Sequence, residues 1–181
     1  VKNDTITEVL ANHEIAPGDV FFLPAGRIHA IGAGSFIAEI QQTSDITYRI
    51  YDYGRLGLDG KPRELHIEQA KEATDYHVFP EYKTEYSPKQ NAEVSLVSCK
   101  YFTTSLLDID CDYPKSLQDL DSFLVAICVK GAGTLVDTEA DGSVHEVSIR
   151  TGETVLVPAS SQNITFRPEQ GGMTCLLSCV Q

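Results

Sequence analysis

The stretch Gly18-Asp19-Val20-Phe21-Phe22-Leu23-Pro24-Ala25-Gly26-Arg27-Ile28-His29 recurs in weaker form as Gly152-Glu153-Thr154-Val155-Leu156-Val157-Pro158-Ala159-Ser160-Ser161-Gln162-Asn163, an offset of 134 residues. In the first copy Val20 to Leu23 form a short run of strand formers stopped by Pro24 and Gly26, which reads as a strand entering a tight turn. In the second, Val155 to Val157 run into Pro158 in the same way. Self-similarity at this distance predicts two copies of one domain. They differ where chemistry is expected. His29, just past the first turn, is a candidate metal ligand, and Asn163 stands in its place in the second copy.

Working outward, Ile28, Ala30, Ile37, Ala38 and Ile40 extend the first copy, and strands are expected near residues 19–24, 28–32, 36–42 and 46–53, after a short helix or turn from Thr5 to Leu10. Residues 62–76 read as a helix: Pro62 suits a first turn, Glu64 the positive helix end, and Leu65, Gln69, Ala73 and Tyr76 trace one face. Residues 79–92 read as a connector. From Glu93 onward, eight short strands are expected at Val94–Cys99, Phe102–Asp108, Phe123–Val129, Gly133–Asp137, His145–Ile149, Thr154–Pro158, Gln162–Phe166 and Thr174–Val180. Asp141-Gly142 supplies a hairpin turn between two of them. Short strands with regular turns predict an all-β jelly roll or barrel-like sandwich.

Strand-like sequence upstream of Gly152 reaches back to Glu93, whereas only seventeen residues precede Gly18, and the sole methionine is Met173. The first copy is therefore expected to lack its front, and the chain to be part of a longer protein. The 181 residues and 42% hydrophobic content suffice for one full domain and part of another. A net charge of −12 argues against nucleic acid or an anionic membrane as partner, and no apolar run approaches the length of a membrane span. The five cysteines (Cys99, Cys111, Cys128, Cys175, Cys179) are odd in number and lack CxxC spacing; they read as reduced thiols of a cytoplasmic protein.

The spacing Gly18-x5-Pro24-x-Gly26-x2-His29 resembles the second sequence motif of the cupin superfamily, departing at Ala33, where asparagine is often found. The longer run from Gly18 to Arg55, including Ile37-Ala38-Glu39-Ile40-Gln41-Gln42-Thr43-Ser44-Asp45-Ile46-Thr47-Tyr48-Arg49-Ile50-Tyr51-Asp52, resembles type I mannose-6-phosphate isomerase. So do Arg63, Leu65, His66, Glu68 and Ala70 in the following helix. The likeness is close over residues 18–75 and mainly architectural over 90–181. It implies one complete C-terminal cupin plus the C-terminal half of a preceding one, joined by one α-helix: residues 1–58 belong to the metal-binding, catalytic cupin, 59–92 to a linking helix and connector, and 93–181 to a second, metal-free cupin.

The resemblance also implies a zinc-dependent aldose–ketose isomerase interconverting mannose 6-phosphate and fructose 6-phosphate, with a phosphorylated hexose as substrate. In that family zinc is held by a Gln, two His and a Glu; His29 matches the last histidine, and the other three ligands lie outside this chain. Glu39 and Arg49 match positions lining the active site, Glu39 for proton transfer and Arg49 for stabilising negative charge on substrate oxygens. Moving a proton between adjacent sugar carbons through an enediol-like intermediate needs a base, a polarising cation and a nearby positive charge, which agrees with these roles.

Other readings stand beside these. Glu39 and Arg49 also suit a structural ion pair across neighbouring strands. Arg27 reads as exposed at its turn, His66 as packing or capping around the helix, His77 as part of the connector, and His13 as solvated. The second copy, with Asn163 for the ligand and Ser160 for the turn glycine, reads as a structural cupin that buttresses the first, with sugar binding as the alternative. For the whole chain, the alternative to an isomerase is a non-catalytic carbohydrate- or partner-binding cupin module. Unpaired strand edges in the first segment predict packing on the second domain, self-association or partial mobility. A single ligand cannot fill a four-coordinate zinc site, so the chain alone is expected to be inactive.

Overall fold

The computed structural model describes residues 5–44, 46–139 and 141–180. They group into two compact units, one drawn from the described residues of Val1–Ile37 and Thr43–Lys83, the other from those of Ala38–Gln42 and Thr84–Gln181.

The second unit is built from β1 (Ala92–Ser98), β2 (Thr103–Ile109), β3 (Tyr113–Ser116), β4 (Leu124–Thr138), β5 (Val144–Arg150), β6 (Thr154–Val157) and β7 (Asn163–Cys179). Every pairing between these strands is antiparallel. The registers show how one connected ladder becomes two sheets. The first part of β4 (Leu124–Ile127) lies between β6 and the end of β7, and that end of β7 continues to β2 and β1. The later part of β4 lies between β5 and the start of β7, which continues to β3. Leu107, Ala126, Val157 and Leu177 from the first set meet Leu135, Ile149, Ile164 and Phe166 from the second in a single buried core. This is the all-β, antiparallel architecture that the regular short strands predict.

Seven strands replace the expected eight because two expected pairs are continuous and one unexpected strand, β3, is added. Gly133–Asp137 falls within β4 and Phe123–Val129 all but its first residue, and Gln162–Phe166 and Thr174–Val180 fall largely within β7. The glycines between them bend the strands without ending them. Gly131 (φ +77°) and Gly172 (φ +83°) interlock so closely that a Cβ on Gly131 would stand 2.1 Å from the Gly172 carbonyl oxygen. Strand β3 was not expected, since Tyr113-Pro114-Lys115-Ser116 carries a proline. It pairs with β7 alone, an edge position where a missing N–H is tolerated. The Asp141-Gly142 turn closes the β4–β5 hairpin, with Gly142 at φ +86° and Asp141 accepting hydrogen bonds from the N–H and hydroxyl of Ser143. All five cysteines are free thiols, and burial pushes the Cys175 thiol up to about 12, with its neighbour Cys128 adding to the shift.

In the first unit the structure corrects the expected strands. Between residues 11 and 60, Phe21↔Lys83 and Leu56↔Pro62 are the only ladder contacts among the described residues. A strand is stable only if a neighbouring strand takes up its backbone N–H and C=O groups, and, among the described residues, 19–24, 28–32, 36–42 and 46–53 form no ladder longer than the single Phe21↔Lys83 bridge. Their apolar side chains are correspondingly open, with Phe36 84% and Ile46 67% exposed. The two helices are α1 (Ile6–Val9) and α2 (Ile67–Ala73). Helix α2 is shorter than the expected 62–76 because the residues before it are engaged elsewhere: Arg63 bonds Asp52, and the His66 N–H donates to the Arg49 carbonyl. Thr74 turns to extended backbone and ends it.

The interlocked bends make a sharp prediction. A Cβ on Gly133 would lie 2.5 Å from the Arg167 carbonyl oxygen and 2.9 Å from the Met173 sulfur. Gly133→Val is expected to lower stability by about 1–3 kcal/mol, the usual range for overpacking, or to block folding. Gly142→Ala, which meets open space but keeps a left-handed φ, should cost about 1 kcal/mol. Urea denaturation of the two variants checks the order; equal midpoints would refute it.

Candidate functional site

The repeated segment is repeated in geometry as well as in sequence. The Asp19 N–H donates to the Ala16 carbonyl at 3.1 Å, and 134 residues later the Glu153 N–H donates to the Arg150 carbonyl at 2.9 Å. The Arg27 N–H donates to Pro24 at 3.2 Å, matched by Ser161 to Pro158 at 3.1 Å. Gly18 and Gly152 share a left-handed φ, +96° and +88°. Both copies thus make the same two turns, although only the second feeds them into paired strands, β6 and β7.

His29 sits just past the second of these turns, with an exposed side chain. Its Nδ1 lies 3.0 Å from the Arg27 carbonyl oxygen. A carbonyl only accepts, so Nδ1 is the donor in this bond, and in the neutral ring Nε2 is then the nitrogen that carries a lone pair. The turn itself is held by Arg27, which corrects the expectation of an exposed side chain: it is 12% exposed. Its guanidinium lies 4.6 Å from the Phe79 ring centroid and 5.0 Å from that of Tyr82, with Asp75 at 3.7 Å. The Asp75 N–H donates to the Gly26 carbonyl at 3.0 Å, and a Cβ on Gly26 would stand 2.6 Å from the Ala73 carbonyl. Glycine is therefore required where this turn meets the end of α2.

Arg49 is half-buried and tied to the residues before α2. Its backbone N–H donates to His66 Nδ1 at 3.1 Å, its carbonyl accepts from the His66 N–H at 2.7 Å, and its guanidinium donates to the Glu64 carbonyl at 3.2 Å. Because a backbone N–H only donates, His66 accepts this bond through an Nδ1 lone pair. His66 thus occupies the N-cap position of α2 without a side-chain capping bond, its ring serving Arg49 instead. Glu39 is exposed and lies in the Ala38–Gln42 segment that groups with the second unit. No hydrogen bond or ion pair joins His29 to Arg49 among the described residues.

Sequence reading missed the most polarised group nearby, Asp52. It is 7% exposed and accepts from Arg63 through both carboxylate oxygens and from Arg55 at 3.0 Å. The Arg63 hydrogen bonds hold its pKa down at about 2, with the positive charges of Arg63 and Arg55 adding to the effect. The signal was an acidic residue in an otherwise apolar Ile50-Tyr51 context followed by two arginines, Arg55 and Arg63.

Four-coordinate zinc needs three or four converging donors. Among the described residues no group of three His, Cys, Asp or Glu side chains gathers to hold a metal. His29 is one well-presented donor, and the residues present do not by themselves fit a zinc site. Also among the described residues, no helix is long and apolar enough to cross a membrane.

An antiparallel unit with glycine-bent strands around one buried core, in which the segment from Gly152 to Asn163 leads through β6 into β7, is a cupin. Residues 92–180 match the family described as mannose-6-phosphate isomerase, cupin domain. The chain is 32% identical over 153 residues to mannose-6-phosphate isomerase ManA of Bacillus subtilis, covering 83% of this chain and 46% of that protein. It is 29% identical over 159 residues to mannose-6-phosphate isomerase of Streptococcus mutans, covering 87% of this chain and 48% of that protein. The crystal structure of the Bacillus subtilis mannose 6-phosphate isomerase matches 75% of this chain and 40% of its own with a TM-score of 0.59 at 28% identity. The chain belongs to the type I mannose-6-phosphate isomerase family. It spans about half the length of the curated relatives it matches.

The Asp52 network yields a pH prediction. A folded-state pKa near 2, below the ordinary 3.8, means the carboxylate stabilises the fold above that ordinary value and loses its contribution as pH falls from about 4 towards 2. Hydrogen-exchange protection of the 52–63 segment is expected to fall across that window. Asp52→Asn should flatten this dependence; an unchanged profile would show that the network does not hold the segment.

Proposed function

We propose that this chain is part of a zinc-dependent aldose–ketose isomerase that interconverts mannose 6-phosphate and fructose 6-phosphate in the cytoplasm. The observation that carries this reading is the 32% identity over 83% of the chain to a relative of that name. The twin turns support a division into residues 1–58 as the C-terminal part of a catalytic cupin, 59–92 as linker, and 93–181 as a second, metal-free cupin. The exposed apolar positions Phe36 and Ile46 suit a segment completed by further β-structure.

In this reading His29 supplies one metal ligand through Nε2, oriented by the Arg27 carbonyl. Glu39 moves the proton between the two reacting carbons, its exposed carboxylate being free to meet substrate. Arg49 stabilises negative charge on the substrate oxygens. One of its five N–H donors is engaged by the Glu64 carbonyl, and the others remain for an anionic oxygen. A single ligand such as His29 cannot fill a four-coordinate zinc site, and this supports the expectation that the chain alone is inactive.

The test compares the 181-residue chain with its parent gene product, measuring zinc content and mannose 6-phosphate isomerisation. The parent should hold zinc and turn over, and the isolated chain should do neither. In the parent, His29→Ala should abolish both. Arg49→Lys should lower kcat by about 10²–10³-fold and Glu39→Gln by about 10²–10⁴-fold, with zinc retained. Turnover by the isolated chain, or full activity of the His29 variant, would overturn the assignment.

A further inference from the structure

The second unit contains a half-open cavity of about 470 Å³, within the range of small-molecule sites. Its origin lies in the strand pattern. Ser95 of β1 faces Ser105 of β2, which faces Leu177 of β7, and Thr103 faces Cys179. Alternation along the strands puts Glu93, Ser95, Thr103 and Ser105 on the face that carries Leu107 and Cys175 into the core. One end of this inner face is thus filled by bulky apolar side chains and the other by hydroxyls and a carboxylate. Small polar residues at core-facing positions leave space that packing does not fill.

The polar end is organised. Lys115 reaches from β3 to Glu93 with 2.5 Å between Nζ and Oε2, and the Ser105 hydroxyl donates to the other Glu93 oxygen at 2.5 Å. These charged side chains are only 20% and 28% exposed. Leu120 and Leu177 line the same cavity and offer an apolar wall. Hydroxyls, an already neutralised ion pair and an apolar wall together match a ligand with hydroxyl edges and a C–H face.

We propose that this cavity binds a neutral, monosaccharide-sized polyhydroxylated compound. Glu93 and Lys115 cancel each other and Asp119 adds a negative charge to the lining, so no uncompensated cation awaits a phosphate. The site therefore selects against phosphorylated sugars. Glu93 accepts from ligand hydroxyls, Lys115 donates to them, and Leu177 packs under the ring.

The test titrates the ¹⁵N-labelled 181-residue chain with mannose, glucose, fructose, glycerol and mannose 6-phosphate, following amide shifts by NMR. Saturable shifts at Ser95, Thr103, Ser105 and Lys115 with at least one neutral hexose, and weaker binding of mannose 6-phosphate, are expected. Glu93→Gln and Lys115→Met should weaken binding about tenfold or more, and Ser105→Phe, which fills the space, should abolish it. Retained amide dispersion confirms folding; if the filling variant does not fold, the other two decide. No saturable shift with any neutral hexose, shifts confined to other surfaces, unaffected binding in the Glu93 and Lys115 variants, or equal affinity for mannose 6-phosphate would each overturn the proposal. None of these outcomes depends on zinc or on isomerase turnover.

Discussion

The second unit depends on β7 being paired on both sides over Ile164–Phe166 and again over Met173–Cys179. It takes β3 and β2 on one side and β4 on the other. Seventeen residues of extended chain cannot serve two facing sheets unless they bend, and the bend must match one in β4. Gly131 and Gly133 in β4 meet Gly172, Met173 and the Arg167 carbonyl of β7 at distances no side chain could share. The register shifts between Cys128 and Lys130 and between Gly131 and Gly133 fall at the same place. Backbone pairing, lost side chains at the bends and a core fed from both halves are one constraint seen three ways.

That constraint explains what was legible in the sequence. Alternation and turn residues located nearly every strand of the second unit, and Asp141-Gly142 marked its hairpin, because these signals are local. The continuity of β4 and β7 was not legible: a glycine that breaks a strand and one that bends it look the same until the partner is known. Strand β3 was hidden by Pro114, whose tolerance depends on an edge position that only topology reveals. In the first unit the periodicity of residues 19–53 was real, but periodicity specifies a face, not a neighbour. With no strand ladder to take up the backbone groups, extended segments with exposed apolar side chains result.

The site residues divide along the same line. The turn before His29 was legible because it is written in residues close in sequence, and the structure reproduces that turn in both copies. The roles of Arg49 and His66 were only partly legible, since their reciprocal bonds span seventeen residues. Asp52, Arg55 and Arg63 were legible as charges but not as a network. An acidic side chain that is nearly buried needs its desolvation offset by charge-assisted hydrogen bonds, and two arginines supply them.

Comparing the two copies isolates what the first has gained. The same turn hydrogen bond, from Arg27 in one and Ser161 in the other, is anchored by different chemistry. Ser161 is buried and its hydroxyl donates to Asp137 on β4, a short tether within the sheet framework. Arg27 instead sends a long cation against Phe79, Tyr82 and Asp75. The first anchor lets the chain run straight on into β7 at Asn163, whose backbone is paired to Ser116. The second fixes the turn from its side chain while the Arg27 carbonyl is left to orient the His29 ring. Holding the turn through the arginine side chain leaves the Arg27 carbonyl to the His29 ring, and this distinguishes the first copy from the second, which is built on the same local geometry.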